Sequence, residues 1–211
     1  KYINANSSAI SGVITDGGKF KWDTEKYPGM KDFKKFGPFA YTAKLRNGLF
    51  RNTGACLSPQ NAFYNSIGME TLGLRMERVC DNAKTLAQFF ATEYSDIEVN
   101  YPGLAGSKWH NIATEQFSDK FGGIITRRTG NKKRAFGIID ALKLPLIVSN
   151  IGDTKTLVIH PESTLNVHST QEEKETAGVF DDLIRISVGI EDIDDLIDDF
   201  KQAIESVKDV Y

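Results

Sequence analysis

An arginine in the middle of an aliphatic strand is the first residue of this 211-residue chain that could do chemistry. Residues 184–188, Ile-Arg-Ile-Ser-Val, alternate as in a half-buried strand that carries Arg185 and Ser187 on the face opposite the aliphatic side chains. A buried guanidinium needs a carboxylate or phosphate partner, because an unpaired buried charge is costly. That partner is either a ligand or an acidic residue of the protein, and the strand alone does not decide between them.

Other polar groups are weaker candidates. Small polar residues at 149–154 follow an apolar segment, where α/β sheets often bind ligands, but an ordinary turn explains them as well. No carboxylate or cysteine falls at a metal-site spacing from His160 or His168, so we predict no metal site. An acidic cluster near the C-terminus is typical of a solvated helix face rather than of a cation site. Its members are Glu191, Asp192, Asp194, Asp195, Asp198 and Asp199. Lys1 by itself is only a terminal lysine.

Strands alternate with helices in the second half, which favours an α/β or α+β domain. The periodicity predicts strands at residues 97–99, 124–127, 146–149, 157–159 and 184–188, with helices at 108–117, 132–142 and 191–207. Thr170 and Glu173 form a capping box, which predicts another helix start.

The first half is less regular. Residues 9–15 read as a buried strand, and residues 17–57 form an aromatic-rich excursion to which we assign no element. Ser58-Pro59 begins a long helix to residue 94, with Gly68 and Gly73 as the points where it could bend.

The composition is that of an ordinary globular protein, with 40% hydrophobic and 26% charged residues. A net charge of −2 gives no electrostatic reason to expect nucleic acid or an anionic membrane as partner. Cys56 and Cys80 are too few for a disulfide framework, and neither a secretory signal nor an apolar membrane span is recognisable, so we predict a cytoplasmic location. Because a strand-like segment follows Lys1 at once, we expect that further chain precedes it.

Five segments in order resemble the pyridoxal-phosphate enzymes of transsulfuration and direct sulfhydrylation. They are residues 54–63 (GACLSPQNAF), 68–78 (GMETLGLRMER), 100–103 (NYPG), 152–157 (GDTKTL) followed by His160-Pro161, and 184–192 (IRISVGIED). The resemblance covers almost the whole chain, and it depends on the order and spacing of these segments rather than on any one of them.

The resemblance implies roles for three residues. Lys1, followed by Tyr2 and by Ile-Ser-Gly at 10–12, matches the end of the family's Ser-x-Thr-Lys-aromatic motif, so it would be the catalytic lysine that holds pyridoxal phosphate as a Schiff base. Arg185 would bind the substrate carboxylate. Asn150 stands where related lyases have the serine of a Ser-Leu-Gly loop, and its amide and backbone N–H could bind the same carboxylate. The family's residues for the cofactor phosphate and ring precede the lysine.

Within the family, residues 17–53, 54–63 and 152–160 are more similar to O-acetylhomoserine sulfhydrylases than to cystathionine lyases. The implied reaction is a γ-replacement in methionine biosynthesis, from O-acetylhomoserine and sulfide or a thiol to homocysteine and acetate. The alternatives are a methionine γ-lyase, a cystathionine γ-synthase or lyase and, from another class, a cofactor-free α/β binding module.

Two departures from the family pattern lie in loops that border its active site. Ala5-Asn6-Ser7 replaces the usual Gly-His-Gly, and residues 160–168 are longer than the common His-Pro-Ala-Ser-Thr-Thr-His, with the difference around Leu165–Val167. We expect such changes to affect substrate preference most.

The resemblance also implies the architecture. Residues 1–60 would complete the large cofactor-binding domain of a fold-type I enzyme. Residues 61–211 would form an α+β C-terminal substrate-binding domain that includes the long connecting helix. The family precedent is a homotetramer built as a dimer of dimers, acting on small-molecule substrates.

Overall fold

The computed structural model describes residues 1–209, which form two compact units. One unit contains Lys1–Ser8 together with the chain from Ser66 onward, and the other is Ala9–Asn65. The domain boundary predicted between residues 60 and 61 concerns the intact protein and stays a prediction.

The Ala9–Asn65 unit is built from short helical turns. A 3₁₀ segment, Pro28–Phe39, leads into α1 (Ala40–Lys44), a wider π turn (Leu45–Phe50) and α2 (Arg51–Thr53). Aromatic side chains hold these turns together, with Trp22 stacked on Tyr41 at a ring separation of 5.7 Å. The aromatic-rich excursion therefore has its own local packing, which no simple sequence period reveals.

The strand predicted at residues 9–15 is absent from the described structure, and this prediction is wrong. The segment is irregular, and Ile10 is 87% exposed and Val13 74% exposed. A strand requires a hydrogen-bonded neighbour, and within the described residues no strand pairs with this segment.

The long helix predicted from Ser58 is confirmed at its start but is divided in two. The Ser58 hydroxyl accepts a hydrogen bond from the Asn61 N–H (3.2 Å), as a helix cap should. Helix α3 runs over Pro59–Glu70 and α4 over Leu72–Glu93, and the break falls at Thr71 (φ −110°, ψ 5°). The helix is therefore interrupted between the two glycines at which it was expected to bend.

A five-stranded sheet forms the centre of the larger unit. Its strands are β1 (Val99–Asn100), β2 (Ile124–Arg128), β3 (Leu146–Ile147), β4 (Leu157–Ile159) and β5 (Leu183–Ser187). The order is β1-β2-β5-β4-β3, and all neighbours are antiparallel except the parallel pair β3 and β4. Strand β5 therefore lies in the middle, where both of its edges are paired.

Helices cover one face of this sheet. The remaining helices are α5 (His110–Phe117), α6 (Lys132–Ala141), α7 (Gln171–Thr176) and α8 (Ile193–Ser206). Side chains of α4, α6 and α8 pack on Ile184 and Ile186, and Phe90 meets Phe200 edge-on at 5.3 Å. Burial of each such side chain contributes about 1.5–3 kcal/mol. Arg185 and Ser187 lie on the opposite face of β5, which these helices do not cover.

Local signals place several elements as predicted. The capping box is present, since Thr170 Oγ1 accepts from Glu173 N (3.3 Å) and Glu173 Oε2 accepts from Thr170 N (2.8 Å). Nearby, Glu162 forms ion pairs with Lys132 (2.9 Å) and Lys174 (2.5 Å). The mixed α/β class predicted from the sequence is confirmed. Of the helices described, none has the length and apolar character needed to cross a bilayer.

Candidate active site

The segment after Lys1 is anchored to the sheet unit, although it is neither helix nor strand. Lys1 itself is exposed. The Thr154 N–H donates to the Ala5 carbonyl (3.0 Å), and Asn150 Nδ2 donates to Ser7 Oγ (2.6 Å). The lysine is therefore an exposed side chain on a fixed piece of backbone.

A glycine in the 149–154 loop makes this close packing possible. Gly152 has φ +75°, and a Cβ atom there would lie only 3.1 Å from the backbone nitrogen of Tyr2 and from its ring. Burial raises the pKa of the Tyr2 phenol, which therefore stays neutral at neutral pH. Any side chain at position 152 would push Tyr2, and with it the backbone of Lys1, away from the loop.

Arg185 lies where its two-residue alternation predicted, in the middle of β5 opposite Thr126 and Ile159. It donates from Nη2 to the Asn150 carbonyl (3.2 Å), while its buried Nε has no partner among the described residues. Burial lowers its pKa. None of the ion pairs in the described chain includes Arg185. Within residues 1–209 a structural ion pair therefore does not account for this arginine.

Asn150 connects the two candidate residues. Its carbonyl accepts from Arg185, and its side-chain amide donates to Ser7. The Gly152 N–H donates to Ser187 Oγ (3.0 Å), which ties the same loop to β5. One loop thus holds both the Lys1 segment and the Arg185 strand. The side-chain Nδ2 of Asn150 donates to Ser7 as part of this contact between the loop and the Lys1 segment.

The remaining candidates have structural roles. His160 is buried, and its ring nitrogens lie 2.9 Å from Ser163 Oγ and 2.7 Å from the Asp181 carbonyl. No group of three metal-ligating side chains occurs among the residues described. In the lengthened loop, Leu165 and Val167 are about half exposed.

The acidic cluster is only partly the solvated face that we expected. Asp199 is 7% exposed and accepts hydrogen bonds from the N–H groups of Lys143 and Leu144. Glu191 accepts from the N–H and hydroxyl of Thr156. These carboxylates bind loop backbone, and the helical period could not separate them from their solvated neighbours.

Arg75 was not predicted from the sequence, although it donates hydrogen bonds to the carbonyls of Tyr2 and Ile3 in the Lys1 segment. It lies four residues before Val79, on the face of α4 that is buried farther along at Val79 and Ala83. A charged residue at such a position was the available signal.

Comparison with known proteins places these residues in a family. The family model for the Cys/Met metabolism PLP-dependent enzyme matches residues 1–205. The chain belongs to this family. A homocysteine synthase of Schizosaccharomyces pombe is 38% identical over 97% of this chain and 51% of its own length. An O-acetyl-L-homoserine sulfhydrylase of Corynebacterium glutamicum is 37% identical over 98% of this chain and 51% of its own length.

A solved structure is similar as well. A proposed O-acetylhomoserine (thiol)-lyase of Campylobacter jejuni is 39% identical, with a TM-score of 0.73 over 78% of this chain and 39% of that one. That structure holds N′-pyridoxyl-lysine-5′-monophosphate. The present chain spans about half the length of the curated relatives that it matches. The resemblance inferred from the five segments and the predicted fold class are both confirmed.

The residues present fit the family's cofactor at the points that this chain supplies. A free amine on an anchored backbone is what an aldehyde cofactor needs for covalent attachment, and Lys1 provides it. A buried guanidinium nitrogen without a partner is what an amino-acid carboxylate needs, and Arg185 provides it.

Proposed function

We propose that the intact protein is a pyridoxal-phosphate-dependent sulfhydrylase that replaces the γ-substituent of O-acetylhomoserine with sulfur. The relatives named homocysteine synthase and O-acetyl-L-homoserine sulfhydrylase support this reaction. The structural observation that carries the proposal is Arg185, a partly buried guanidinium without an acidic partner in the described chain. It donates to the carbonyl of Asn150, in the loop that also anchors the Lys1 segment.

Lys1 would hold the cofactor covalently through its side-chain amine. Pyridoxal phosphate, when bound, supplies a conjugated system that takes up negative charge from the substrate α-carbon. The Lys1 amine, when free, is a local base that removes the proton from Cα and then moves a proton at Cβ. The C–O bond at Cγ breaks, acetate leaves with the electron pair, and the sulfur of hydrosulfide forms the new bond at that carbon. O-acetylhomoserine and hydrosulfide thus give homocysteine and acetate.

Arg185 would bind the substrate carboxylate and hold the substrate so that the Cα–H bond faces Lys1. Orientation of this kind contributes to rate because the reacting groups no longer search for each other. One of the two side-chain N–H groups of Asn150 is used by Ser7, so Asn150 would offer its other side-chain N–H or its backbone N–H to the carboxylate and brace Arg185 with its carbonyl.

Product analysis of the intact, cofactor-loaded protein tests the proposal. Homocysteine formed from O-acetylhomoserine and sulfide would support it. Release of 2-oxobutyrate from methionine without that reaction would indicate a methionine γ-lyase. Formation of cystathionine when cysteine replaces sulfide would indicate a cystathionine γ-synthase, and cleavage of cystathionine would indicate a cystathionine lyase. A protein that gains no visible absorbance with added pyridoxal phosphate would be a cofactor-free binding module.

We further infer a cytoplasmic homotetramer, a dimer of dimers that acts on small molecules. Cys56 and Cys80 are both free thiols, as suits a reducing compartment. Large apolar side chains of the Ala9–Asn65 unit are exposed, including Ile10 and Phe39, and burial against another subunit would remove them from water. Light scattering of the intact protein measures the assembly.

A further inference from the structure

Arg75 places its guanidinium among main-chain carbonyls. It is 9% exposed, and Nε donates to Thr71 Oγ1 (3.0 Å). Nη1 donates to the Tyr2 carbonyl (2.7 Å), and Nη2 donates to the carbonyls of Ile3 (3.2 Å) and Gly68 (2.7 Å). Two of these three carbonyls belong to the residues that directly follow Lys1.

Helix capping explains only part of this arrangement. Gly68 O is among the last four carbonyls of α3, which have no intrahelical partner and attract a cation. One donor would satisfy it. The donors to Tyr2 and Ile3 reach across more than 70 residues of sequence to an irregular segment. A buried charge is also a costly way to fill space, and none of the described ion pairs gives Arg75 a carboxylate.

Gly68 gives independent evidence that the position of this segment is fixed. A Cβ atom on Gly68 would lie 2.3 Å from the Ile3 carbonyl oxygen and 2.6 Å from Asn4 Cα, distances that real Cβ atoms do not adopt. The end of α3 therefore admits the segment only because residue 68 has no side chain. Arg75 then holds the carbonyls of that same segment.

We propose that Arg75 is a positioning residue for Lys1. By holding the Tyr2 and Ile3 carbonyls it fixes the backbone from which the lysine side chain leaves, and so fixes where the Lys1 amine can reach. This inference rests on the proposed function, in which Lys1 carries the cofactor and moves protons.

The test compares R75M, R75K and, as a matched control, R78M in the intact protein stripped of cofactor. Arg78 lies one turn farther along α4, is about half exposed and contacts Glu191 and Asp192. The main readout is the rate at which Lys1 captures pyridoxal phosphate, followed by absorbance and located by borohydride trapping and peptide mass mapping. Two further readouts are the Kd of pyridoxine 5′-phosphate, which lacks the aldehyde, and the melting temperature.

We expect R75M to capture the cofactor roughly 10- to 100-fold more slowly, since a displacement of about 1 Å at a reacting group can cost up to this much. The Kd of pyridoxine phosphate should change little, because it does not involve the Lys1 amine. R75K should recover part of the rate, since an ammonium can donate to some of the same carbonyls. R78M should react like the wild type. If R75M does not fold, G68A should slow capture while leaving Arg75 in place, because its methyl group must displace Ile3.

Capture by R75M at the wild-type rate would overturn the positioning role. So would a loss in which capture, pyridoxine phosphate binding and melting temperature fall together and R75K is no better than R75M, because Arg75 would then only cap α3. A wild-type protein that does not capture the cofactor at Lys1 would overturn the proposed function, and with it this inference.

Discussion

Replacement of Arg185 by alanine tests the proposed substrate contact. The side chain donates once to the Asn150 carbonyl (3.2 Å), and its Nε is without a partner in the described chain. Alanine would remove the guanidinium and leave β5 intact, because the strand is held on both edges by β2 and β4. The variant should therefore fold and fail to hold the substrate carboxylate.

The expected fall in kcat/KM follows from the number of Arg185 N–H groups that are left to bind the substrate carboxylate. Hydrogen bonds between charged groups contribute about 1.5–3 kcal/mol each. A two-pronged contact with the carboxylate would then contribute about 3–4 kcal/mol after water replaces part of it. At about 1.4 kcal/mol for each factor of ten, kcat/KM should fall roughly 10²- to 10³-fold.

The assay is steady-state formation of homocysteine from O-acetylhomoserine and sulfide. R185K should be intermediate, because it keeps the charge and loses the planar fork. R128A is the matched control: Arg128 lies on the same sheet and forms an ion pair with the buried Asp182, so its loss should lower the melting temperature and leave kcat/KM near the wild-type value. An R185A variant with wild-type kcat/KM would refute the reasoning and return Arg185 to a structural role.

Three further predictions concern other parts of the chain. K1A should abolish both turnover and borohydride-trapped cofactor, and trapping at another lysine would contradict the role of Lys1. Hydrogen bonds from two lysines lower the pKa of Glu162 to about 2, so its contribution to folding stability is present above the usual value of 4.5 and is lost as the pH falls towards 2. When unfolding is followed during acid titration, E162Q should lack this part of the pH dependence of stability. An E162Q profile identical to that of the wild type would contradict this prediction. A5G should raise the melting temperature by a few degrees, since relief of about 1–2 kcal/mol of backbone strain exceeds the added chain entropy. S7G should not, because it also loses the contact with Asn150, and equal gains in the two variants would show that this contact adds nothing.

Elements with a strong local signal could be predicted from the sequence. Helix α8 has a helical apolar period and buries Leu196, Phe200 and Ile204 as that period requires. Strand β5 shows the two-residue alternation that places Arg185 away from the aliphatic core. In both cases the residues that determine the element are neighbours in sequence, so the pattern is sufficient.

Contacts between distant residues could not be predicted in this way. The Arg75 side chain binds carbonyls at Tyr2 and Ile3, and main-chain carbonyls carry no sequence signature. Residues 9–15 have the composition of a strand, but strand formation also depends on a neighbouring edge, which composition does not specify. The role of Asp199 likewise depends on where the loop before β3 passes.

The departure from the family pattern at residues 5–7 contacts Asn150, which also differs from the residue that the resemblance implies. Ala5 (φ 73°) and Ser7 (φ 60°) keep the left-handed backbone that suits the two glycines of the family's Gly-His-Gly. A side chain in this conformation costs about 1–2 kcal/mol at each position. The hydrogen bond from Asn150 Nδ2 to Ser7 Oγ offsets about 0.5–1.5 kcal/mol of this cost at Ser7, whereas a glycine at position 5 would accept the same hydrogen bond from Thr154 N–H.

The resemblance implies that Asn150 stands where related lyases have the serine of a Ser-Leu-Gly loop, and its side-chain amide donates to a hydroxyl at position 7 that a glycine would not offer. Asn150 and Ser7 are therefore joined by a hydrogen bond that needs both side chains. Because residues 5 and 7 keep a backbone conformation that suits glycine, their side chains alter which groups border the site. The segment that follows Lys1 still remains anchored to the 149–154 loop. Substrate preference, rather than the placement of the lysine, is then the property that these residues would change.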